Sequence, residues 1–356
     1  MTKSSEKFLH SYINNYAPTG FESAGQKLWL EYIKPYIDDY QVDNYGTVVG
    51  IVNPEAKYKV VIEAHADEIS WFVHYIDDKG FIYVRRNGGS DHQIAPSKDV
   101  VIHTDNGPVH GVFGWPAIHT RTASSEKQPK LDTIFIDVGA NTKEAVLELG
   151  VEVGCVITFT DCLRVLNDTY YTGRALDNRI GGFMIAEVLR QLHETKTKLD
   201  FGLYVVNSVQ EEVGLRGAEM ISRSINPDVA IITDVCHDTQ TPHISKIKQG
   251  DLSCGKGPVL TTGPSVHNNL LKLIKSTAKE QEIEFQLAAA SRATGTDTDA
   301  FAYSGTGVVS ALISLPLRYM HTTVEMAHKK DVDAVTQLIF ETLKNIKNKM
   351  DFRYFT

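Results

Sequence analysis

Two adjacent carboxylates, Glu211 and Glu212, follow an apolar run within residues 201–209 and stand just before Gly214. The run is rich in β-branched and aromatic residues, a pattern typical of a buried strand. Burying two neighbouring carboxylates is costly unless cations or protons compensate them. An acidic pair is also common in a solvated turn, so the other polar clusters of the chain must decide between these interpretations.

Further polar residues follow three other apolar runs that read as strands, and one more opens a predicted helix. In chain order these residues are His65 with Asp67, Asp177 at the helix start, Asp234, and His321. Open α/β sheets place ligands just beyond the carboxyl ends of their strands, so the sequence predicts that these side chains meet the glutamate pair.

The combined set matches the ligands of a dinuclear zinc or cobalt hydrolase, in which one aspartate is shared by two cations. Our hypothesis is that Asp177 bridges the two ions. His65 and Asp234 would complete one ion, and Glu212 and His321 the other. Two ions about 3.5 to 4 Å apart can activate one shared water molecule.

Two acidic residues remain beside these ligands. Asp67, two positions after His65, is expected to accept the second imidazole N–H and so fix the tautomer of that ligand. Glu211 is expected to act as general base, taking a proton from the activated water and passing it to the leaving amine.

Each residue alone also has a simpler explanation. His65 and Asp67 form a spacing that is common in hydrogen-bonded pairs, and Asp177 stands where aspartate often caps a helix. Asp234 suits a turn after a strand. His321 is one of 13 histidines, and its rivals as a ligand are His237, His243 and His328. The metal hypothesis is favoured because five such coincidences would have to fall at the ends of elements in one sheet.

The order of predicted elements indicates an α/β protein of two domains, as its 356 residues allow. Strands and helices alternate in residues 1–69 and 162–356, which predicts a discontinuous catalytic domain. Residues 70–161 instead show short alternating strands with frequent glycines, which predicts an inserted small β-barrel domain. A capping box at residues 19–22 predicts the start of the second helix.

Composition excludes several classes of protein. A net charge of -8 leaves no basic surface for nucleic acid or anionic membrane. The four cysteines are widely spaced, which argues against a disulfide framework or a cysteine-rich zinc site. Neither a signal peptide nor a long apolar segment is evident, so we expect a soluble cytoplasmic protein.

Seven stretches of the chain together resemble the cobalt- and zinc-dependent metalloaminopeptidases, a family of glutamyl, deblocking and tetrahedral aminopeptidases that includes proteins once described as endoglucanases. The stretches are residues 17–22, 64–69, 174–179, 210–218, 233–235, 295–297 and 316–321. By this resemblance, the five candidate ligands fall on the family's metal ligands, Glu211 on its general base and Asp67 on its orienting aspartate. Ala66, Ser70 and Thr294 depart from the residues common in relatives, which leaves substrate preference open.

The resemblance implies a three-layer, zinc-exopeptidase-like catalytic domain that binds two divalent ions, zinc or cobalt, per subunit. It also implies removal of N-terminal residues from short peptides, and subunits that assemble into a homo-oligomer, a hollow tetrahedral dodecamer. A two-metal deacylase or carboxypeptidase, or a catalytically silent metal-binding scaffold, remains the alternative. The position of the insert, between His65 and Asp177, favours the aminopeptidase. Arg292 and Arg318 are candidates for recognising an acidic N-terminal residue.

Overall fold

The computed structural model describes residues 2–122 and 128–355 of the chain. The strands within these ranges are β1 (Asp39–Val42), β2 (Val48–Val52), β3 (Lys59–His65), β4 (Ser70–Ile76), β5 (Ile82–Asn87), β6 (Asp99–Thr104), β7 (Gly107–Gly114), β8 (Phe135–Asp137), β9 (Val156–Phe159), β10 (Arg164–Leu166), β11 (Tyr170–Gly173), β12 (Gly202–Ser208), β13 (Val229–His237), β14 (Val259–Thr262), β15 (Gln286–Ala289), β16 (Val309–Arg318) and β17 (Glu325–His328). The α-helices are α1 (Lys3–Asn14), α2 (Ser23–Ile33), α3 (Lys143–Glu148), α4 (Leu176–Glu194), α5 (Arg216–Ile225), α6 (Lys246–Gln249), α7 (Asn268–Glu280), α8 (Asp297–Ala302) and α9 (Lys329–Asn345).

A mixed sheet forms the centre of the larger part of the molecule, with the strand order β1-β2-β12-β3-β13-β16-β17-β11-β10. Strand β3 runs parallel to both β12 and β13, and β13 runs parallel to β16. These four strands are apolar over most of their length and almost fully buried, as expected for strands covered on both faces. Their carboxyl ends therefore meet at one edge of the sheet.

Helices pack on this sheet in two groups. Helices α4 and α9 contact each other and strands β3, β13 and β16, whereas α5 and α8 contact each other and strands β12, β13 and β16. Helix α4 is buried along nearly its whole length, because α1, α2 and α9 cover the sides that the sheet leaves free. This arrangement confirms the predicted three-layer α/β fold.

The second unit is a closed barrel of six antiparallel strands, in the order β4-β5-β8-β7-β6-β9. Its core consists mainly of valine and isoleucine around a group of three aromatic side chains: Trp71 meets Phe113 and Phe159 edge to face, with ring centroids 5.6 and 6.4 Å apart. The predicted small barrel is thus confirmed as part of the fold. The exact domain boundaries, 1–69 with 162–356 and 70–161, stay predictions.

The capping box predicted at residues 19–22 is wrong. Helix α2 begins at Ser23 without a side-chain cap. The Thr19 hydroxyl instead donates a hydrogen bond to Asp67 Oδ2, at 2.9 Å, because the loop before α2 packs against the end of β3. The short strands β10, β11, β14 and β17 were not predicted. No helix in the described ranges has the length and apolar character needed to cross a membrane, and the cellular location stays a prediction.

Candidate metal centre

The carboxyl edge of the parallel strands carries most of the residues singled out from the sequence. His65 is the last residue of β3, and Glu211 and Glu212 lie in a single 3-10 turn shortly after β12. His321 follows β16 by three residues. Asp234 differs from expectation, since β13 continues through it to His237. It is nonetheless buried beside the same cleft, because its side chain projects from the strand toward His65.

Asp177 lies between the two histidines. Its Oδ1 is 3.2 Å from His65 Nε2, and its Oδ2 is 3.2 Å from His321 Nε2. Asp177 has non-helical backbone angles, φ -78° and ψ 110°, and α4 has no side-chain cap. The helix-cap explanation therefore fails, and the carboxylate is free to present one oxygen to each side.

Two groups of ligand atoms form around Asp177. His65, Asp177 and Asp234 make one group, and Asp177, Glu212 and His321 make the other, with one atom per residue all within 4.8 Å of one another. His65 Nε2 is 3.8 Å from Asp234 Oδ1, and His321 Nε2 is 3.4 Å from Glu212 Oε1. All five predicted ligands are thus brought together in the predicted pairing, while their role as ligands remains a prediction.

Asp67 connects the end of β3 to the glutamate turn. Its Oδ1 lies 3.3 Å from His65 Nδ1, and its two oxygens accept the backbone N–H groups of Glu211 and Glu212 at 3.0 and 3.2 Å. These contacts fix the turn in space and place Glu211 Oε2 3.9 Å from His65 Nε2. With a side chain only 11% exposed, Glu211 faces the cluster; it lies outside both ligand groups around Asp177 but forms a third group with His65 and Glu212.

The two histidines are polarised by the carboxylates around them. Burial by itself would lower the pKa of His321, but its contacts with Asp177 and Glu212 raise the pKa to about 11. Burial opposes the same change at His65, whose pKa is nevertheless held well above its ordinary value by Asp177 and Asp67. These same two imidazoles lower the pKa of Asp177, against the effect of its burial.

The other carboxylates hold protons more tightly than usual. Burial, together with the neighbouring acids Asp234 and Asp297, raises the pKa of Glu211 to about 10. Burial likewise raises the pKa values of Glu212 and Asp234. The Glu212 Oε1 atom is buried and accepts no hydrogen bond. A cluster with excess negative charge and an orphaned carboxylate oxygen fits divalent cations, which supply the missing positive charge.

Sequence reasoning missed Glu325, a buried carboxylate in β17. Its Oε2 accepts the backbone N–H of Asp177 at 3.0 Å, and its Oε1 accepts that of His321 at 2.8 Å. His321 has a positive φ of 61°, a conformation that a histidine seldom adopts unless its surroundings hold it there. Glu325 thus fixes the backbone of two candidate ligands, a role that leaves no motif in the sequence.

Gly88 and Gly89 were also missed. They follow the barrel strand β5 and lie against the cluster: a Cβ added at Gly88 would be 3.1 Å from Glu212 Cβ, and one at Gly89 would overlap the His321 imidazole. The pair of glycines in the sequence is a signal for close approach of the backbone, but only the fold shows what approaches it.

The rival histidines have other positions. His328 caps α9, where its Nδ1 accepts the backbone N–H of Lys330 at 3.1 Å. His237 lines the cleft in front of the cluster, and His243 lines a separate cleft with it. The front cleft has a volume of about 660 Å³, which is enough for the first residues of a peptide.

Known proteins resemble this chain in sequence and in fold. Residues 46–338 match the M42 glutamyl aminopeptidase family. A lysyl aminopeptidase of Pyrococcus furiosus is 33% identical over 349 residues, covering 97% of this chain and 98% of that protein. The TET aminopeptidase of Thaumarchaeota archaeon SCGC AB-539-E09 superposes with a TM-score of 0.92 at 29% identity, covering 96% of both chains.

The TET1 peptidase of Pyrococcus horikoshii also superposes, with a TM-score of 0.83 and 27% identity over 95% of this chain and 98% of that one. It is described as assembling into a tetrahedron or a large octahedral shell. The family match covers most of the chain, and the relatives agree with it in sequence and in fold. The chain therefore belongs to the M42 glutamyl aminopeptidase family of peptidases.

Proposed function

We propose that this protein removes residues one at a time from the free N-terminus of short peptides, with two divalent metal ions held by the five clustered residues. The observation that carries the proposal is Asp177, which offers one oxygen to each histidine of two neighbouring ligand groups. His65 and Asp234 would hold one ion, and Glu212 and His321 the other. Zinc and cobalt suit this mixture of imidazole and carboxylate ligands.

When bound, such ions polarise the scissile carbonyl and make water more acidic. Glu211 then acts as the general base: its carboxylate accepts the proton of the attacking water and gives it to the leaving amine. Glu211 faces the cluster from a turn that Asp67 anchors through two backbone hydrogen bonds. Asp67 also faces His65 Nδ1 and so keeps Nε2 directed at Asp177.

The cluster needs its cations for this chemistry. A carboxylic acid cannot accept a proton, and burial raises the pKa of Glu211 to about 10 in the protein by itself. Positive charge close to this carboxyl group lowers its pKa toward the working range of a base. The same residues would thus hold the ions and depend on them for their protonation state.

The test is cleavage of matched peptides with free and N-acetylated termini. Protein stripped of metal and reloaded with zinc or cobalt should release residues stepwise from the free peptides only, as followed by mass spectrometry. Cleavage of the acetylated peptides would indicate a deacylase or endopeptidase instead, and cleavage of neither would favour a silent scaffold. A carboxypeptidase would shorten both peptides from the other end.

The structural relatives support a homo-oligomer, and we propose the tetrahedral dodecamer as its form. In this assembly the barrel, residues 70–161 in our division, would serve oligomerisation and substrate access. Light scattering of the metal-loaded protein should give a mass near twelve times that of the 39.6 kDa subunit. A monomer or plain dimer would refute the assembly without touching the chemistry. We also retain the cytoplasm as the proposed location, which fractionation of cells would test.

A further inference from the structure

The floor and the wall of the cleft differ in whether bound metal ions would neutralise their carboxylates. On the floor, the four carboxylates Asp177, Glu211, Glu212 and Asp234 carry as much negative charge as two divalent ions carry positive charge. Among the described residues that line the rest of the cleft, Asp299 supplies the one further carboxylate, and none is a lysine or arginine. Asp299 is therefore the carboxylate of the described cleft lining that lies outside the candidate metal ligands and the general base, and it is available to a substrate side chain.

The position of Asp299 in α8 explains why it faces the cleft. Asp297, two residues earlier, is buried beneath the sheet edge, where its Oδ2 accepts the Ser208 hydroxyl at 2.7 Å. Residues two apart on a helix point in nearly opposite directions, so Asp299 is turned away from that buried network. Its carboxylate accepts the backbone N–H groups of Thr294 and Gly295, at 3.1 and 3.0 Å.

These two hydrogen bonds hold the carboxylate on the cleft wall, since Thr294 and Gly295 also line the cleft. A carboxylate has about four acceptor positions, so Asp299 retains capacity for a ligand after both bonds are made. The half-buried setting strengthens an added charge-assisted hydrogen bond relative to one made in open water.

The remaining lining is suited to an aliphatic chain. Leu215, Val235 and Met320 contribute apolar surface between the cluster and the rim. Lysine and arginine combine an apolar stem with a cationic end, and such side chains pack the stem on apolar surface while the charge seeks a partner. An acidic side chain would meet Asp299 as a like charge.

The two arginines considered for an acidic substrate do not provide a counter-charge. Arg318 Nε donates to Asp238 Oδ2 at 3.1 Å, and its guanidinium lies over the Tyr170 ring at 5.3 Å. Arg292 is exposed to solvent and is not among the described residues that line the cleft.

We propose that Asp299 makes this protein select peptides with an N-terminal lysine or arginine, by accepting a charge-assisted hydrogen bond from that side chain. This inference rests on the proposed aminopeptidase function and names its substrate class. Asp299 is a specificity residue and takes no part in the proton transfer assigned to Glu211.

The experiment compares kcat/KM of the zinc- or cobalt-loaded enzyme for peptides that differ only at the first residue: lysine, norleucine or glutamate. Norleucine has the stem of lysine without its ammonium group. Lysine should exceed norleucine by about tenfold, as one charge-assisted hydrogen bond provides, and glutamate should be the poorest substrate.

In Asp299→Asn the lysine advantage should disappear, while kcat/KM for norleucine stays within about twofold. Asparagine keeps an oxygen for the Thr294 N–H but loses the acceptor of the Gly295 N–H, so the loop retains one of its two hydrogen bonds to residue 299. Asp77→Asn is a control for the loss of a carboxylate charge elsewhere, because Asp77 accepts the backbone N–H groups of Lys79 and Phe81 through Oδ1 in a barrel loop. Its lysine-to-norleucine ratio should equal that of the wild type.

A wild-type ratio near one, or a ratio that Asp299→Asn retains, would overturn the inference while leaving the aminopeptidase intact. Failure to cleave every free peptide would overturn the proposed function as well. If the variant does not fold, the salt dependence of the wild type decides. The lysine advantage should shrink when salt rises from about 50 mM to about 500 mM, and a salt-independent ratio would contradict the role of Asp299.

Discussion

Two clusters of buried charge lie side by side at the end of β3, and they are compensated in opposite ways. His65 and Asp67 belong to the candidate metal centre, which has more carboxylates than cationic side chains. Glu68, the next residue, belongs to a cluster in which two arginines surround one glutamate. Both clusters are buried, so the difference lies in where the counter-charge comes from.

The Glu68 cluster supplies its own counter-charge. Arg174 donates to Glu68 Oε2, and Arg179 Nη1 lies 3.7 Å from Oε1, which also accepts the backbone N–H of Ala17 at 2.8 Å. Arg179 stacks over the Tyr12 ring at 4.4 Å, and burial lowers the pKa of this guanidinium. Both oxygens of Glu68 have partners within the protein, which is the mark of a structural site, although Arg174 Nε and Arg179 Nε and Nη2 are buried without a hydrogen-bond partner.

In place of arginines the candidate metal centre has two histidines. Burial raises the pKa values of Glu211, Glu212 and Asp234, whereas the histidines lower that of Asp177. The comparison teaches that the number of buried acids does not identify a metal site. The identifying feature is that the protein leaves those acids without enough cationic or hydrogen-bonding partners. Changes to the metal centre should therefore affect catalysis and metal binding, whereas changes to the Glu68 cluster should affect folding.

The largest effect is expected for Glu211→Gln. Removing the base should reduce kcat about 10³-fold, which corresponds to about 4 kcal/mol of activation free energy, and leave the metal content unchanged. Turnover and metal analysis of the same preparation provide the measurement. Glu219→Gln on the exposed face of α5 is the control and should retain full turnover. Loss of metal together with activity would assign Glu211 a ligand role instead.

Glu68→Gln should act on stability. It leaves two buried guanidinium groups with a neutral partner, and breaking a buried ion pair in this manner costs about 3 kcal/mol. Urea unfolding monitored by fluorescence measures the loss, and Glu219→Gln, which breaks an exposed pair with Arg223, should cost under about 1 kcal/mol. Comparable losses of unfolding free energy in both variants would mean that the buried Glu68 cluster stabilises the protein no more than an exposed ion pair does.

Metal binding should stabilise the protein more as pH rises. The pKa of Glu211 is raised from 4.5 to about 10 and that of His321 from 6.5 to about 11. In both cases the folded protein keeps a proton at pH values at which the unfolded chain has released it. Each raised pKa therefore stabilises the metal-free protein at low pH, and this stabilisation is lost as pH rises from the unfolded to the folded pKa value. The pKa of Asp177 is lowered, so that group titrates below the window.

Because zinc must displace these protons, its contribution to the free energy of unfolding grows toward alkaline pH. At a free zinc concentration a hundred times the dissociation constant, this contribution is about 2.7 kcal/mol. Thermal unfolding with zinc and with chelator, between about pH 6.5 and 8.5, measures the difference, and calcium, which prefers more oxygen ligands, is the control. An increment that falls as pH rises would mean that zinc does not displace the protons of Glu211 and His321.

The smallest effect is expected for Thr19→Val, which removes the hydroxyl that joins the two clusters. Thr19 Oγ1 contacts Asp67 Oδ2 at 2.9 Å and the Glu68 carbonyl oxygen at 3.2 Å. The substitution keeps the shape of the side chain and should cost about 1 kcal/mol of unfolding free energy. Thr195→Val, at the exposed end of α4, is the matched control. An equal loss in both would show that the hydroxyl of Thr19 has no special position.

The sequence predicted which side chains the fold brings together, because metal chemistry restricts the residue types and the sheet restricts their places. His65, Asp177 and His321 are far apart in the chain, yet each stands at the end of an element, and the parallel sheet brings those ends together. The short alternating runs and frequent glycines of residues 70–161 likewise predicted a barrel, because a closed sheet needs one buried face per strand.

Other parts of the site could not be predicted because the contacts that define them join residues far apart in the chain. Thr19 matched a capping pattern over four residues, but its hydrogen-bond partner Asp67 is 48 positions away. Glu325 acts by accepting backbone N–H groups, which every residue type except proline offers, so no pairing of side chains marks it. Asp299 required the cleft itself, since only its lining shows that, within the described part of the chain, no lysine or arginine shares the cleft with this carboxylate.

The glycines after β5 bring the barrel against the candidate ligands at the carboxyl edge of the sheet. Gly88 and Gly89 belong to the inserted unit by sequence, yet they shape the space in which Glu212 and His321 sit. A protein engineer who exchanged this barrel for that of a relative would replace one wall of the candidate metal centre along with it. The insert is therefore a poor candidate for modular transplantation unless its glycine turn is transplanted unchanged.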